Sequence, residues 1–194
     1  NNSADTDNVV YVPGSAITGR YDEPVELTSY NDFVRNFGDH GCEGSITWDY
    51  VANILLAGFP VLFQRIGESS NGTQLVKKAR LEIKNSGNTS TILIFEDKYG
   101  GTYGNSLSVS LVTEYETVYL RLYYRNKIIE TYKVCSVSDI TSDDSSANVA
   151  EISKRVAKGL KQISSKRINI TIPDESTFVF TNGFTYQKLA GGED

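Results

Sequence analysis

Lys98-Tyr99-Gly100-Gly101-Thr102-Tyr103-Gly104-Asn105-Ser106-Leu107-Ser108-Val109-Ser110-Leu111 begins as a glycine-rich turn and becomes a strictly alternating strand. Successive strand side chains point to opposite faces, so Leu107, Val109 and Leu111 share one side and Ser106, Ser108 and Ser110 the other. The pattern predicts a half-buried strand with its serines toward water. Gly100, Gly101 and Gly104 give the turn backbone angles that other residues resist, and Asn105 also tolerates the left-handed region. Phosphate-loop readings fail on spacing. A Walker loop needs lysine after its second glycine, but Asn105 follows Gly104; a dinucleotide fingerprint leads into a helix, whereas this turn leads into a strand.

Working outward, the chain reads as helices and strands in unequal shares. Val9-Val10-Tyr11-Val12 predicts a short strand stopped by Pro13-Gly14. Phe33 and Phe37, four apart and followed by Gly38, predict a helix over Ser29–Phe37 with a hydroxyl cap at its start. A second helix, Ile46–Ala57 capped by Ser45, is marked by the stripe Trp48, Val51, Ala52, Leu55, Leu56 and Phe59. Val61 to Gly67 is nearly continuous apolar sequence, which suits a strand buried on both faces.

Beyond the connector at Glu68 to Gly72, strands are expected at Ala79–Lys84, Thr91–Phe95, Val118–Tyr124 and Ile128–Val134, the last two joined by a hairpin at Arg125-Asn126-Lys127. Asp139 to Ser146 is acidic and serine-rich, hence an exposed loop. Asn148 and Glu151 suggest a cap for a helix carrying Val149, Ile152, Val156, Leu160 and Ile163. Lys154, Arg155, Lys158 and Lys161 lie on its other face or in its later turns. They form a solvated face or, as the functional alternative, a contact with an acidic neighbouring subunit. Ile168–Ile172 is a further strand, and Phe178-Val179-Phe180 with Phe184-Thr185-Tyr186 reads as a closing hairpin around Asn182-Gly183.

The fold class that follows is α+β: an antiparallel β-sandwich-like domain plus a small α+β layer. Its division is an arm or linker over 1–8, an α+β segment over 9–78, a sandwich-like domain over 79–140, and a helix with strands over 141–194 returning toward the α+β segment.

Composition excludes more than it identifies. The 194 residues carry 19 basic and 24 acidic side chains, a formal net charge of −5, with no concentrated basic footprint for nucleic acid. No apolar run reaches membrane-spanning length. Cys42 and Cys135 are too few for a disulfide framework, and His40 with Cys42 lacks the further ligands a zinc site needs. The sequons at Asn71, Asn88 and Asn169 have no secretory signal beside them. The single histidine, His40, has no nucleophile elbow or paired carboxylate around it, so no catalytic, cofactor-binding or metal residue is assigned. The chain begins Asn1-Asn2-Ser3 and contains no Met, which points to a piece of a longer polypeptide or a processed product.

Tyr99-Gly100-Gly101-Thr102-Tyr103-Gly104-Asn105 resembles the Tyr-Pro-Gly-Thr-Trp-Gly-Asn signature of contractile-phage tail sheath proteins, with Gly100 where the family favours Pro and Tyr103 where it favours Trp. Other tracts resemble the family in the family's order. These are Val12-Pro13-Gly14 with Ile17-Thr18-Gly19, Pro24 through Leu27-Thr28-Ser29 to Phe37-Gly38, Ala57-Gly58-Phe59-Pro60-Val61 to Arg65-Ile66, and Leu189-Ala190-Gly191-Gly192 with Asp194. The resemblance implies the N-terminal portion of a sheath protomer, stopping before the family's subtilisin-like domain. It further implies a non-enzymatic subunit of the virion, assembled in the host cytoplasm into stacked hexameric rings around an inner tube, and contracting to drive that tube through the host envelope. The partners so implied are further copies of the chain, the inner tail tube protein, and baseplate and tail terminator proteins. Phage is favoured over a contractile bacteriocin or related injection particle. The competing class is an isolated carbohydrate- or protein-binding sandwich presenting Tyr115, Tyr119 and Tyr123.

Overall fold

The computed structural model describes residues 8–39, 46–67, 69–70, 73–74, 76–140, 145–181 and 183–193. The readings placed on residues 1–7, on His40, Cys42 and Ser45, on the sequon at Asn71 and on residues 141–144 lie outside these. Two compact units emerge: one of residues 1–77, 99–103 and 193–194, the other of residues 78–98 and 104–192.

The first unit holds β1 (Val10–Gly14), β2 (Val25–Leu27), α1 (Tyr30–Phe37), α2 (Thr47–Leu56), β3 (Val61–Arg65) and the two-residue strands β4 (Ser69–Ser70) and β5 (Thr73–Gln74), which pair with each other. β3 lies between β1, which runs parallel to it, and β2, which runs antiparallel. Pro13 and Gly14 do not stop β1 as expected; the strand runs through both, with Pro13 opposite Gln64. An edge strand tolerates proline because one side of its backbone has no ladder to complete. α1 starts where its cap predicts: the Ser29 hydroxyl accepts from Asp32 N at 3.2 Å, and Gly38 ends the helix. Phe33 and Phe37 meet the Phe63 ring edge-on, at centroid distances of 5.1 and 4.6 Å. Burying such side chains is worth about 1.5–3 kcal/mol each, and with Leu27, Val51 and Val61 they form the unit's core.

Two details differ from the sequence reading. α2 buries Val51 and Ala52, but Leu56 is 81% exposed and Phe59 also faces solvent, so the apolar stripe is wider than the buried one. The helix has Ile46 at its N-cap, with no side-chain capping bond. β3 is buried on one face rather than both: Val61, Phe63 and Arg65 are inside, while Leu62 and Gln64 are half-buried.

The second unit contains β6 (Arg80–Lys84), β7 (Thr91–Asp97), β8 (Leu107–Glu114), β9 (Thr117–Tyr124), β10 (Lys127–Ser136), α3 (Ser145–Gln162), β11 (Ile168–Thr171) and β12 (Phe184–Lys188). They make two antiparallel sheets, ordered β10-β9-β8-β12 and β11-β7-β6. Leu107, Val109, Leu111, Leu120 and Leu122 share the inner face of the larger sheet, and Leu93 and Phe95 are buried on the smaller one. Phe95 and Phe184 meet edge-on at 5.9 Å and join the two sheets. The chain is thus α+β, with a sandwich-like unit. α3 packs through Val156, Ala157, Gly159 and Leu160, and begins at Ser145, so Asn148 sits inside the first turn instead of capping it.

β8 departs from the half-buried expectation. Ser108 and Ser110 are only 2% and 3% exposed. Register places Tyr123 beside Ser108 and Arg121 beside Ser110, and Ser110 Oγ lies 3.2 Å from Tyr123 OH. Small hydroxymethyl groups flanked by long side chains lose their water without being apolar. The closing hairpin is also corrected. Residues 178–180 are not a strand, and β12 pairs with β8. Phe178 and Phe180 instead plug the core, while Phe180 N donates to Ser153 Oγ on α3 at 2.9 Å.

Candidate functional site

The glycine-rich stretch is organised by close approach more than by backbone freedom. In the first unit Gly100 adopts φ +70° and Gly101 φ +98°, and Gly101 N donates to Lys77 O at 3.0 Å. Under this turn lies Arg65, only 2% exposed, its Nη1 donating to Gly19 O at 2.9 Å and to the carbonyls of Tyr99 and Gly100 at 3.4 and 3.5 Å. Its guanidinium sits 4.1 Å from the Tyr21 ring centroid. A buried cation is tolerable when dipoles and an aromatic face replace its hydration, and a planar fork suits several carbonyls at once.

In the second unit Thr102–Ser106, a 3-10 turn begun in the first, delivers Gly104 against Ala79, just before β6, and Asp97, the last residue of β7. Gly104 does not need a positive φ. A Cβ there would stand 2.6 Å from Ala79 Cβ and 2.8 Å from the buried Asp97 carboxylate, so the position requires glycine for space. Asn105 then reaches the C-terminal tract: its Nδ2 donates to Gly192 O at 2.7 Å, and Gly192 N donates to its Oδ1 at 2.9 Å. The tract is held along its length. Leu189 N donates to Leu107 O, and Ala190 exchanges backbone bonds with Arg80. In the first unit, Glu193 pairs with Lys77 through both backbone and side chain.

The second polar cluster fixes the exit of α3. Glu130 accepts from Ser165 Oγ at 2.5 Å, Tyr132 OH at 2.9 Å and Lys166 N at 3.2 Å. Ser165 Oγ in turn receives the backbone N–H groups of Arg167 and Ile168. Arg155 reaches Asp139 at 2.5 Å and Glu151 at 2.9 Å, holding the Asp139 carboxyl below its ordinary range. Arg121 does the same to Glu114 across the β8–β9 pair. Lys154, Lys158 and Lys161 are exposed on α3, the last of them paired with Glu175.

The residues weighed for chemistry do not converge. Among the described residues no three His, Cys, Asp or Glu side chains stand where they could share a metal ion. Cys135 is half-buried, and that burial pushes its thiol upward, away from nucleophilic character. The tyrosines proposed for a binding face are dispersed in role. Tyr123 packs edge-on against Tyr186 at 5.2 Å, Tyr119 lies under Arg121, and Tyr115 stands at a turn. No described helix is long and apolar enough to cross a membrane.

The sequence shows Arg65 only as part of the Val61–Gly67 run and as the end of a resembling tract; its position two residues beyond Phe63 on one strand is the signal that could have put it on the buried face. Asn105 was read for its backbone tolerance; its partner 87 residues away had no local signal.

The architecture just described, a two-helix layer on a mixed sheet plus a two-sheet antiparallel unit, is similar to part of two solved sheath tail proteins. It matches the sheath tail protein Lin1278 of Listeria innocua at a TM-score of 0.62 and 17% identity, over 95% of this chain and 34% of that one. It also matches the sheath tail protein DSY3957 of Desulfitobacterium hafniense at 0.61 and 13% identity, over 95% of this chain and 35% of that one. The chain spans about a third of the length of these structures. No protein-family model matches, and no curated protein sequence matches.

Proposed function

We propose that this chain is part of a structural subunit of a contractile tail sheath, self-assembling into hexameric rings that stack around an inner tube and shorten to drive the tube through a host envelope. The observation that carries the reading is the shared fold with two sheath tail proteins over 95% of this chain. It gains weight from the meeting of the Tyr99–Asn105 and Leu189–Gly192 tracts, two of the tracts that carry the sequence resemblance, in one pair of hydrogen bonds. The role is mechanical rather than enzymatic, in the virion of a phage, with assembly in the host cytoplasm. Its partners are other copies, an inner tail tube protein, and baseplate and tail terminator proteins. The division into arm, α+β segment, sandwich-like domain and returning segment belongs to the same reading.

A contracting lattice needs rigid blocks joined by modest polar contacts, so that two packings differ by little free energy per subunit and many subunits sum the difference. Closely packed units with charged outer surfaces suit that demand. Electron microscopy of the chain, expressed with its natural continuation and an inner tube protein, tests the proposal. Helical tubes of stacked rings are the expected result. A strictly monomeric product that turns over a substrate overturns it.

A further inference from the structure

We propose that the lysine stripe of α3 docks head to tail on the acidic first unit of a second copy of the chain. This inference rests on the self-assembly reading and names the surface it uses.

Charge is segregated between the two units. The first carries twelve acidic against four basic residues, net −8, and the second twelve acidic against fifteen basic, net +3, together the −5 of the chain. Within the second unit the excess concentrates on α3. Lys154 and Lys158 are exposed, one turn apart on the face opposite Val156 and Leu160, and neither has an ion-pair partner among the described residues. Lys161 follows on the same stripe, tethered by Glu175. On the acidic side Glu26 is exposed on β2, an edge strand of its sheet, with no ion pair among the described residues. It is close in sequence to the exposed Asp22 and Glu23, two carboxylates that share the single cation Arg20 and so keep a net negative charge.

Such patches attract each other across an interface while like faces repel, which fixes orientation. Because the two patches differ, the contact is heterologous. Repetition then gives rings or helical arrays instead of a closed pair. A polyanion such as nucleic acid is a weaker fit, since the chain as a whole carries a net charge of −5.

The test is sedimentation velocity of the 194-residue chain at about 0.02 M and about 0.5 M salt, where the screening length falls from roughly 20 Å to roughly 4 Å. Association at low salt, weakened about tenfold or more at high salt, is expected. Lys154→Glu/Lys158→Glu and Glu23→Lys/Glu26→Lys should each lose association while keeping the wild-type circular dichroism. Mixed in equal amounts, the two variants should regain it, because each then meets an opposite charge. Salt-insensitive association retained by both variants overturns the charge contact and leaves the assembly reading standing. A wild-type monomer at both salts overturns the charge contact and leaves the assembly reading to its own test with the natural continuation. Binding of a single-stranded oligonucleotide that Lys154→Glu/Lys158→Glu abolishes, without self-association, assigns the stripe to a polyanion and overturns the proposal.

Discussion

Asn105 and Gly192 exchange two hydrogen bonds, side-chain amide to backbone and backbone back to side chain, at 2.7 and 2.9 Å. An asparagine presents a donor and an acceptor side by side, so it mimics a peptide group and completes the tail's pairing as a strand would. Asn105→Asp keeps the shape and removes the donor, facing a carboxylate toward the Gly192 carbonyl. The expected cost is about 1–3 kcal/mol, read as a lower denaturation midpoint, with earlier proteolytic release of residues beyond 188. An unchanged midpoint and an unchanged cleavage pattern would show that the pair does not hold the tail.

Gly104 is tested through its neighbour. Adding a methyl group should cost about 1–3 kcal/mol because the new Cβ would press on Ala79. Ala79→Gly in the Gly104→Ala background should recover part of that loss, a coupling that a φ-based penalty would not show. Additive effects in the double variant would move the explanation from Ala79 to the Asp97 carboxylate, which a Cβ at Gly104 would meet at 2.8 Å.

Much of the fold was legible because burial follows period. Phe33 with Phe37, Val156 with Leu160, and Leu107, Val109 and Leu111 all sit inside as their spacing says. What escaped was decided by neighbours distant in sequence. Nothing in Ser108 or Ser110 announces that Tyr123 and Arg121 will crowd them, and nothing in Phe178-Val179-Phe180 announces that β12 pairs with β8 instead. At the site, the Tyr99–Asn105 and Leu189–Gly192 tracts were each visible, but their contact was not, since a side-chain amide meeting a backbone 87 residues away leaves no periodic trace.

Tyr115 stands alone among the tyrosines: it is fully exposed at φ +45°, followed by Glu116 at φ +59°, in the two-residue turn between β8 and β9. Turns of this kind favour Asn-Gly, because a side chain with a branched or bulky body resists positive φ at both positions. Tyr115→Asn with Glu116→Gly should therefore raise stability by about 1 kcal/mol without touching the core. The unfolding midpoint in urea measures it. A lower midpoint would mean that the tyrosine ring makes a stabilising contact of its own.

The Arg155–Asp139 pair should give stability an acid limb. Arg155 donates to Asp139 and so depresses its carboxyl below the unfolded value. A depressed folded value means the unfolded chain binds the proton more readily. The pair's contribution is therefore complete above the ordinary aspartate range near about 3.9 and is lost as pH falls through the lower folded value. Arg155→Met should destabilise the chain at neutral pH, and the part of that difference that comes from Asp139 should shrink steadily as the solution is acidified below about pH 4. Added salt should shrink it as well, because the Asp139 carboxylate is largely exposed. Parallel pH–stability curves for the two proteins would show instead that Arg155 acts through its packing on α3 alone.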